Sequence, residues 1–315
     1  MRTREQQSNM HLAVHRLIFA FLMSGVCHMA LASNASTIHF ATDIVPILTK
    51  HGCNSGGCHG KATGQNGFKL SLLGFEPNAD YLAIVKQARG RRVFPADANR
   101  SLLLLKATGD MPHGGGRRID EGSDDYIMLQ RWIALGTRPP HQDDPQLERI
   151  ELSPARRVLA TSSSQQITVT AYFTDGTTRD VTRQAIYESN AKEIATISEN
   201  GLIQTDRQTG LFSVMVRFGG NIATFHSAVP LQVSDEERRE VNAQLVGLEN
   251  HLDNRFDRLL IQQWRRLGIT PSGEADDSTF IRRAAIDICG TLPIREEIEN
   301  YLADTGPDRR ARCVF

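Results

Sequence analysis

The sequence predicts a multidomain protein in which an all-α domain, an all-β sandwich and an α-helical segment follow one another. Three changes of pattern along the chain indicate this order. Residues 38–140 are rich in glycine and carry a helix pattern at each end, residues 147–234 alternate apolar with polar side chains, and residues 235–315 repeat apolar side chains every three or four positions. Alternation is typical of strands and the longer spacing is typical of helices, so each segment predicts its own class of structure.

Two helices bracket the all-α domain. In TDIVPILTKHG, Thr42 or Asp43 is the predicted cap and Gly52 is the predicted end. In SDDYIMLQRWIALG, the helix is expected to run from the cap Ser123 to Gly136. The side chains at helical spacing are Ile44, Ile47, Leu48 and His51 in the first helix and Tyr126, Leu129, Trp132 and Ile133 in the second. Such faces pack against a core, so we expect both helices to border the interior of this domain.

The middle segment predicts a series of short strands. They cover residues 166–173, 185–189, 193–198, 201–205, 211–218 and 221–231. Asp175-Gly176 follows the first strand at once, and Gly219-Gly220 separates the last two strands, as the turn residues of hairpins do. Several short strands separated by turns predict a β-sandwich.

The last segment predicts helices as far as the end of the chain. One or two amphipathic helices are expected between residues 235 and 267, and the next is expected to start at Asp277 or Ser278 and to stop at Gly290. Pro293 is expected to enter a further helix. The final DRRARCVF begins another helical pattern and then stops, which indicates a truncated domain.

Residues 1–32 predict a secretory signal peptide. Basic residues precede an apolar run from Leu17 to about Val26, and Ala30 and Ala32 place small residues before a cleavage site after Ala32. The run is shorter than the roughly 20 residues that a spanning helix needs, so cleavage is favoured over a retained anchor. Lipidation of Cys27 is the disfavoured alternative, because the large Val26 precedes it. The mature chain is therefore expected to be exported, to the periplasm or the cell surface.

The stretch HGCNSGGCHG, residues 51–60, places two cysteines before a histidine. Covalent attachment of haem needs this order, because two thiols bond the edge of the ring and the histidine next to the second thiol ligates the iron. Cys53, Cys58 and His59 are therefore candidate haem-binding residues. The spacer has four residues where two are usual, and Gly56 and Gly57 would let it loop outward. A disulfide between the two cysteines is the alternative in an oxidising compartment.

A second iron ligand is expected from GDMPHGGG, residues 109–116. Met111 is the preferred candidate and His113 is the alternative. Ligation by methionine with histidine would raise the reduction potential relative to two histidines. Cys53, Cys58, His59 and His113 could instead bind zinc, although no second closely spaced pair of zinc ligands lies nearby.

The net charge of the chain does not favour any class of charged partner. The 36 basic and 36 acidic residues balance, so no overall field attracts nucleic acid or anionic lipid. One basic cluster, formed by Arg89, Arg91 and Arg92, is expected to pair with haem propionates or an acidic redox partner, or else to be a solvated turn.

Several stretches together resemble the planctomycete proteins that contain a cytochrome c-like domain. In the first segment they are CNSGGCHGKATGQNGFKLSLLGFEPNADYLAIV, RGRRVFPADANRSLLLLKATG, PHGGG and RWIALG. DGTTRDVT and ATISENGLIQ in the second segment are similar to bacterial Ig-like group 2 domains. The third segment, from NRFDRLLIQQWRRLG onward, resembles the start of the family's cytochrome-associated domain of unknown function.

The resemblance implies a cytochrome c-like haem domain at 38–140, an Ig-like domain at 147–234 and a truncated cytochrome-associated domain at 235–315. It implies that Cys53 and Cys58 form thioether bonds and that His59 ligates the iron. It leaves the second ligand open, because the shared PHGGG surrounds His113. Cys289 and Cys313 depart from the family pattern.

The function expected is electron transfer by an exported c-type haem protein with one haem c per chain and a redox partner protein. One alternative is a non-haem extracellular module that binds or adheres to a cell surface or polysaccharide through the Ig-like domain. Another is the N-terminal part of an exported polysaccharide-related enzyme. The enzyme alternative is disfavoured, since Asp276, Asp277 and Asp287 are expected to be helix caps and solvated residues. We expect no nucleic-acid partner and no membrane span after cleavage.

Overall fold

The computed structural model describes residues 37–250, 252 and 254–314, and the predicted signal peptide lies outside these described residues. The α-helices are α1 (Val45–Lys50), α2 (Pro77–Tyr81), α3 (Leu102–Thr108), α4 (Asp124–Ala134), α5 (Asp235–Glu249), α6 (Arg255–Leu267), α7 (Asp277–Cys289), α8 (Arg295–Ala303) and α9 (Arg309–Val314). The strands are β1 (Leu147–Ser153), β2 (Arg156–Val158), β3 (Ser164–Gln166), β4 (Thr168–Phe173), β5 (Thr178–Asp180), β6 (Ile186–Ser189), β7 (Ala195–Ile197), β8 (Leu202–Thr205), β9 (Gly210–Phe218) and β10 (Asn221–Val229). Among the residues described, no helix has the length and apolar character needed to cross a membrane.

The first helix starts earlier than predicted. A π-helical turn, Phe40–Ile44, leads into α1, so Thr42 and Asp43 lie inside the helical stretch rather than before it. Asp43 still holds the start in place, because its Oδ2 accepts the backbone N–H of His39 at 2.6 Å. The predicted end is confirmed, since Gly52, two residues after the end of α1, has a φ of +69°.

The predicted cap and apolar face of α4 are confirmed. The Oγ of Ser123 accepts the N–H of Tyr126 at 3.2 Å. The predicted inward side chains are all buried: Tyr126, Leu129, Trp132 and Ile133. The ring of Phe40 lies 5.3 Å from that of Trp132 and 5.5 Å from that of Tyr81. The two bracketing helices therefore meet in one core.

Three sheets form the middle segment. Their strand orders are β1-β4-β5, β2-β10-β9-β6 and β3-β8-β7. The described pairings are antiparallel apart from that of β2 with β10, which is parallel. Val169 on β4, Ile203 on β8, Val214 on β9 and Phe225 on β10 are buried together. The inward-facing side chains of all three sheets thus contribute to one apolar core.

Each predicted strand corresponds to an observed one. Both predicted hairpin turns are confirmed: Asp175-Gly176 joins β4 to β5, and Gly219-Gly220 joins β9 to β10. The sequence pattern does not predict β1, β2, β3 or β5, because these strands are mostly exposed and carry little alternation. The Ig-like class of these sheets and the cytochrome c-like class of the helical domain stay predictions.

The helices after residue 234 are confirmed, with one change of cap. Two helices, α5 and α6, occupy the stretch for which one or two were expected. Asp276, rather than Asp277 or Ser278, caps α7, because its Oδ1 accepts the N–H of Thr279 at 2.7 Å. Gly290 ends α7 with a φ of +70°, as predicted.

Polar contacts join α1 to the sheets. Arg179 on β5 binds the carboxylate of Asp43 and donates to the carbonyl oxygen of Thr42 at 2.8 Å. At the other end of α1, Lys50 donates to the carbonyl oxygen of Arg183. The helix that leads into HGCNSGGCHG is therefore held at both ends.

Candidate functional site

The cysteines and the histidine of HGCNSGGCHG lie on one closed turn after α1. The N–H of His59 donates to the carbonyl oxygen of Cys53 at 3.0 Å. At the start of the turn, the Nε2 of His51 lies 2.8 Å from the Oδ2 of Asp125 on α4. Burial opposes ionisation of Asp125, but the hydrogen bond from His51 and the charge of Lys50 hold the pKa of that carboxyl below its usual value. The turn is therefore anchored to the helical core.

A glycine outside the spacer makes this turn possible. A Cβ atom at Gly60 would lie 2.0 Å from the carbonyl oxygen of Asn54, a separation that no side chain tolerates. A Cβ atom at Gly57 would meet nothing within 4 Å, and neither Gly56 nor Gly57 has a positive φ. The expectation that Gly56 and Gly57 permit the turn is therefore not supported. The requirement falls on Gly60, because two stretches of backbone pass closely there.

A cavity of about 380 Å³ lies next to this turn. Cys53, Cys58 and His59 line it, and so does His113. Its apolar lining is Leu48, Phe68, Leu70, Ile84, Leu102, Leu103 and Ala107. A largely apolar cavity of this size with a few polar groups is typical of a site for a small molecule or cofactor. The fold thus brings together the three motif residues and one of the two candidates for the second iron ligand.

His59 presents one free ring nitrogen. Its Nδ1 lies 3.0 Å from the carbonyl oxygen of Phe68, and the two rings lie 4.5 Å apart. A carbonyl oxygen only accepts, so Nδ1 carries the proton and the lone pair of the neutral ring is on Nε2. Burial is the main reason that the pKa of His59 is lowered, and the nearby His113 and Arg92 lower it further. His59 is therefore a neutral imidazole of the kind that binds metals.

His113 has the same arrangement. Its Nδ1 lies 3.1 Å from the carbonyl oxygen of Gly116, so in the neutral ring the lone pair is again on Nε2. A Cβ atom at Gly115 would lie 2.9 Å from the Cε1 of His113, so this glycine provides the space that the ring fills. The glycine run after His113 therefore both binds the ring and makes room for it.

The imidazole rings of His59 and His113 have centroids 6.1 Å apart and planes 10° from parallel. Two imidazoles on one metal ion have centroids roughly 6 Å apart, since each metal–nitrogen bond is about 2 Å and each nitrogen lies about 1 Å from its ring centre. The observed separation matches that value. The separation alone does not aim the two Nε2 lone pairs at one point, because these lone pairs lie in the planes of rings that are stacked on each other. What the structure shows is that both imidazoles border the same cavity.

Met111 lies outside this arrangement. It does not line the cavity, and 40% of its surface is exposed. Its backbone N–H donates to the carbonyl oxygen of Leu105 at 2.9 Å, which fixes the chain two residues before His113. The loop thus turns the histidine and not the methionine into the cavity wall, and the identity of the second ligand stays a prediction.

The two cysteines are free thiols in this structure, and the disulfide alternative stays a prediction. Burial raises the pKa of Cys53 to about 11, which keeps it protonated at neutral pH. The Sγ of Cys58 lies 3.7 Å from a guanidinium nitrogen of Arg118. Across the residues that the structure describes, no group of three or more His, Cys, Asp or Glu side chains is arranged to hold a metal ion. A tetrahedral zinc site needs four close ligands, so the zinc alternative has no support.

Four cations and no carboxylate line the cavity: Arg91, Arg92, Lys106 and Arg118. In the described part of the chain none of the four takes part in an ion pair. Of the predicted basic cluster, Arg91 and Arg92 reach the cavity and Arg89 does not. Sequence reasoning missed Lys106 and Arg118, which no local pattern connects to the cysteines. The cavity is therefore suited to an apolar molecule with negative groups.

Comparison with known proteins identifies part of the chain. Residues 255–315 match the model of the family PSCyt2, described as a protein of unknown function (DUF1549). The resemblance of the third segment to that cytochrome-associated domain is thereby confirmed. The match spans well under half of the chain, so it identifies this segment alone. Comparison with curated proteins gives no significant match.

Two solved structures share a limited likeness with the chain. They are the S-layer protein rSbsC and domains 4–9 of the surface layer protein SbsC, each 18% identical with a TM-score of 0.25 over 29% of this chain. The alignment covers only 14% and 15% of those proteins. A TM-score of this size does not establish a common fold.

Proposed function

We propose that this protein is an exported c-type haem protein that transfers electrons. The observation that carries the proposal is that one largely apolar cavity is lined by His59, by His113 and by the free cysteines Cys53 and Cys58. His59 and His113 would ligate the iron, and Cys53 and Cys58 would hold the ring edge through thioether bonds. When bound, haem supplies a reversible one-electron couple.

The chain's own contribution begins with the two imidazoles. Each donates its Nδ1 proton to a backbone carbonyl oxygen, which fixes the ring and presents Nε2. The lowered pKa of His59 keeps that lone pair available under mildly acidic conditions. Two histidine ligands favour a lower reduction potential than the methionine–histidine pair that the sequence favoured. His113 therefore replaces Met111 in the proposal.

The walls and the rim of the cavity have separate tasks. The apolar lining excludes water, which strengthens the electrostatic interactions inside it. The four cations offer charge-assisted hydrogen bonds to negative groups of the ligand or of a redox partner. The surroundings would thereby orient the ligand and place its edge for electron exchange.

Two observations on other parts of the chain support the proposal: the sequence pattern of residues 1–32 and the family match of residues 255–315. The pattern of residues 1–32 favours a cleaved signal peptide and a periplasmic or cell-surface location. The family matched by residues 255–315 is found in planctomycete cytochrome-associated proteins. A haem domain ahead of such a segment would be consistent with that association.

The test is retention of haem after denaturation. The full chain is expressed with its signal sequence in a host that possesses haem-maturation machinery, and the purified protein is run on a denaturing gel. Haem is expected to migrate with the protein and to show a reduced c-type visible spectrum. Absence of haem from the band, or its extraction into acid acetone, would overturn the proposal.

A further inference from the structure

Arg92 is a buried cation without a counter-ion. Only 5% of its surface is exposed, and it lines the cavity that contains His59 and His113. Burial and the neighbouring Arg91 lower its pKa, which is the expected response of a guanidinium that lacks an anionic partner. A buried charge is ordinarily paired, because removing it from water is unfavourable. Such an unpaired charge calls for an anion from outside the described chain.

The hydrogen bonds of Arg92 leave a defined part of the guanidinium free. Its Nη1 donates to the carbonyl oxygens of Ala83 and Gln87, at 2.9 and 3.2 Å. The guanidinium carbon lies 4.3 Å from the ring centre of Phe68, so the plane is also held from one face. Nε and Nη2 make no hydrogen bond to any residue that the structure describes. These two donors form the side of the guanidinium that binds a carboxylate with two parallel hydrogen bonds.

The other cavity cations are held differently. Lys106 donates to the carbonyl oxygen of Pro112 at 2.8 Å, while Arg91 and Arg118 are exposed. They strengthen the positive potential, but water can solvate the two exposed guanidinium groups. Arg92 alone combines burial, fixed orientation and free donors among the four.

We propose that Arg92 is the anchor for a carboxylate of the cavity's ligand, bound through Nε and Nη2, and that the ligand is an apolar ring compound bearing carboxylates. This rests on the proposed haem function, for which the two propionates would be these groups. Lys106 and the exposed arginines assist by charge, whereas Arg92 fixes the orientation of the ring in the cavity.

The test compares one ligand with and without its carboxylates. The full chain carrying Cys53→Ala and Cys58→Ala, which removes covalent attachment, is titrated with ferric protoporphyrin IX and with its dimethyl ester in the same detergent. Binding of the free acid is expected to be at least about tenfold tighter, as a charged hydrogen-bonded pair predicts. Arg92→Gln should bring the two affinities close together, and Arg92→Lys should restore part of the difference. Arg131→Gln, an exposed change on α4, is the matched control and should leave the ratio unchanged.

Equal affinity for acid and ester in the parent would overturn the Arg92 proposal while leaving the haem proposal intact. Failure of both compounds to bind would overturn the Arg92 proposal, and haem staining of the chain with its cysteines intact would decide the haem proposal separately. A purely structural role for Arg92 would weaken both compounds alike in Arg92→Gln and leave their ratio unchanged, which also counts against the anchor. If Arg92→Gln does not fold, as judged by circular dichroism, the ratio in the parent and its loss at high salt decide the matter.

Discussion

Two cavities in this molecule are each lined by a pair of cysteines, and their surroundings differ. The cavity of the helical domain contains Cys53 and Cys58 together with two histidines and four cations. The cavity between α7, α8 and α9, about 420 Å³ in volume, contains Cys289 and Cys313, and no histidine lines it. The two are similar in volume and in cysteine content. Neither property therefore distinguishes a ligand site from a gap between helices.

The two cavities differ in whether their cations have carboxylate partners. In the second cavity Arg312 binds Asp304 at 2.5 Å, and Arg309 binds Asp277, so the chain neutralises its own cations. In the first cavity the cations have no described carboxylate partner, and Arg92 is buried as well. A self-neutralised cluster is complete without a ligand, whereas an unpaired buried charge is not. Unpaired charge beside free ring nitrogens is thus the stronger indication of a site.

The strongest test of the difference between the two cavities is to remove each pair of cysteines in turn. Cys53→Ala with Cys58→Ala should abolish covalently attached haem entirely, because no thiol is left to bond the ring. Cys289→Ala with Cys313→Ala, the matched control, should retain it in full. Both are measured by haem staining of denatured protein from the maturation host. Retention in the first variant, or loss in a folded second variant, would contradict the distinction.

The next largest effect is expected at His113, the proposed second iron ligand. His113→Ala should convert the loaded protein from a low-spin to a high-spin spectrum, because one of two axial ligands is lost. Met111→Ala should change nothing, since Met111 lies outside the cavity wall. Visible and electron paramagnetic resonance spectra of both variants provide the measurement. A far-red sulfur-to-iron band in the parent that disappears in Met111→Ala would restore the methionine.

A smaller change should follow from crowding the His113 ring without removing it. A Cβ atom at Gly115 would lie 2.9 Å from the Cε1 of His113, so Gly115→Ala should displace the ring and lower the low-spin fraction in part. Gly114→Ala is the control, because a Cβ there meets nothing within 4 Å. The same spectra are recorded for both. Equal behaviour of the two variants would show that Gly115 does not position the ring.

The smallest effect is expected in the pH dependence of the free energy of unfolding, measured on the protein without haem. Burial lowers the pKa of His59 below its ordinary 6.5, so between the lowered value and 6.5 the unfolded state binds more protons than the folded state. The contribution of His59 to the free energy of unfolding is therefore complete above pH 6.5 and is lost as the pH falls through the lowered pKa.

Urea unfolding at pH 7.5 and 5.5 tests this. His59→Gln should show a smaller loss of stability between the two values than the parent does. His141→Gln, which removes a histidine with 64% of its side chain exposed, is the matched control for the substitution itself. An unchanged difference in His59→Gln would remove His59 as the source.

Local pattern was sufficient where the physical cause is local. The helix faces of α1 and α4 follow from a spacing of three and four, and the two hairpins follow from glycine-containing turns between alternating strands. Cap positions were less accurate, because neighbouring polar residues such as Asp276 and Asp277 compete for the same role. β1, β2, β3 and β5 were missed because pairing with neighbouring strands, rather than their own pattern, makes them strands.

Of the candidate site residues, too, some could be predicted from the sequence and others could not. Cys53, Cys58 and His59 could be chosen from the sequence, since the chemistry requires their order along the chain. The choice between Met111 and His113 could not, because both lie in a glycine- and proline-containing loop without periodicity. Its direction depends on the hydrogen bonds that the loop makes after folding.

By itself, the sequence determined the succession of helical, sheet and helical segments and singled out the candidate motif of Cys53, Cys58 and His59, because these depend on neighbours in the chain. The tertiary structure decided the rest: that His113 shares the cavity with His59, that Gly60 permits the turn, and that Arg92 is buried without a partner. Each of these depends on distances between residues far apart in sequence, and such distances are set only when the core has packed.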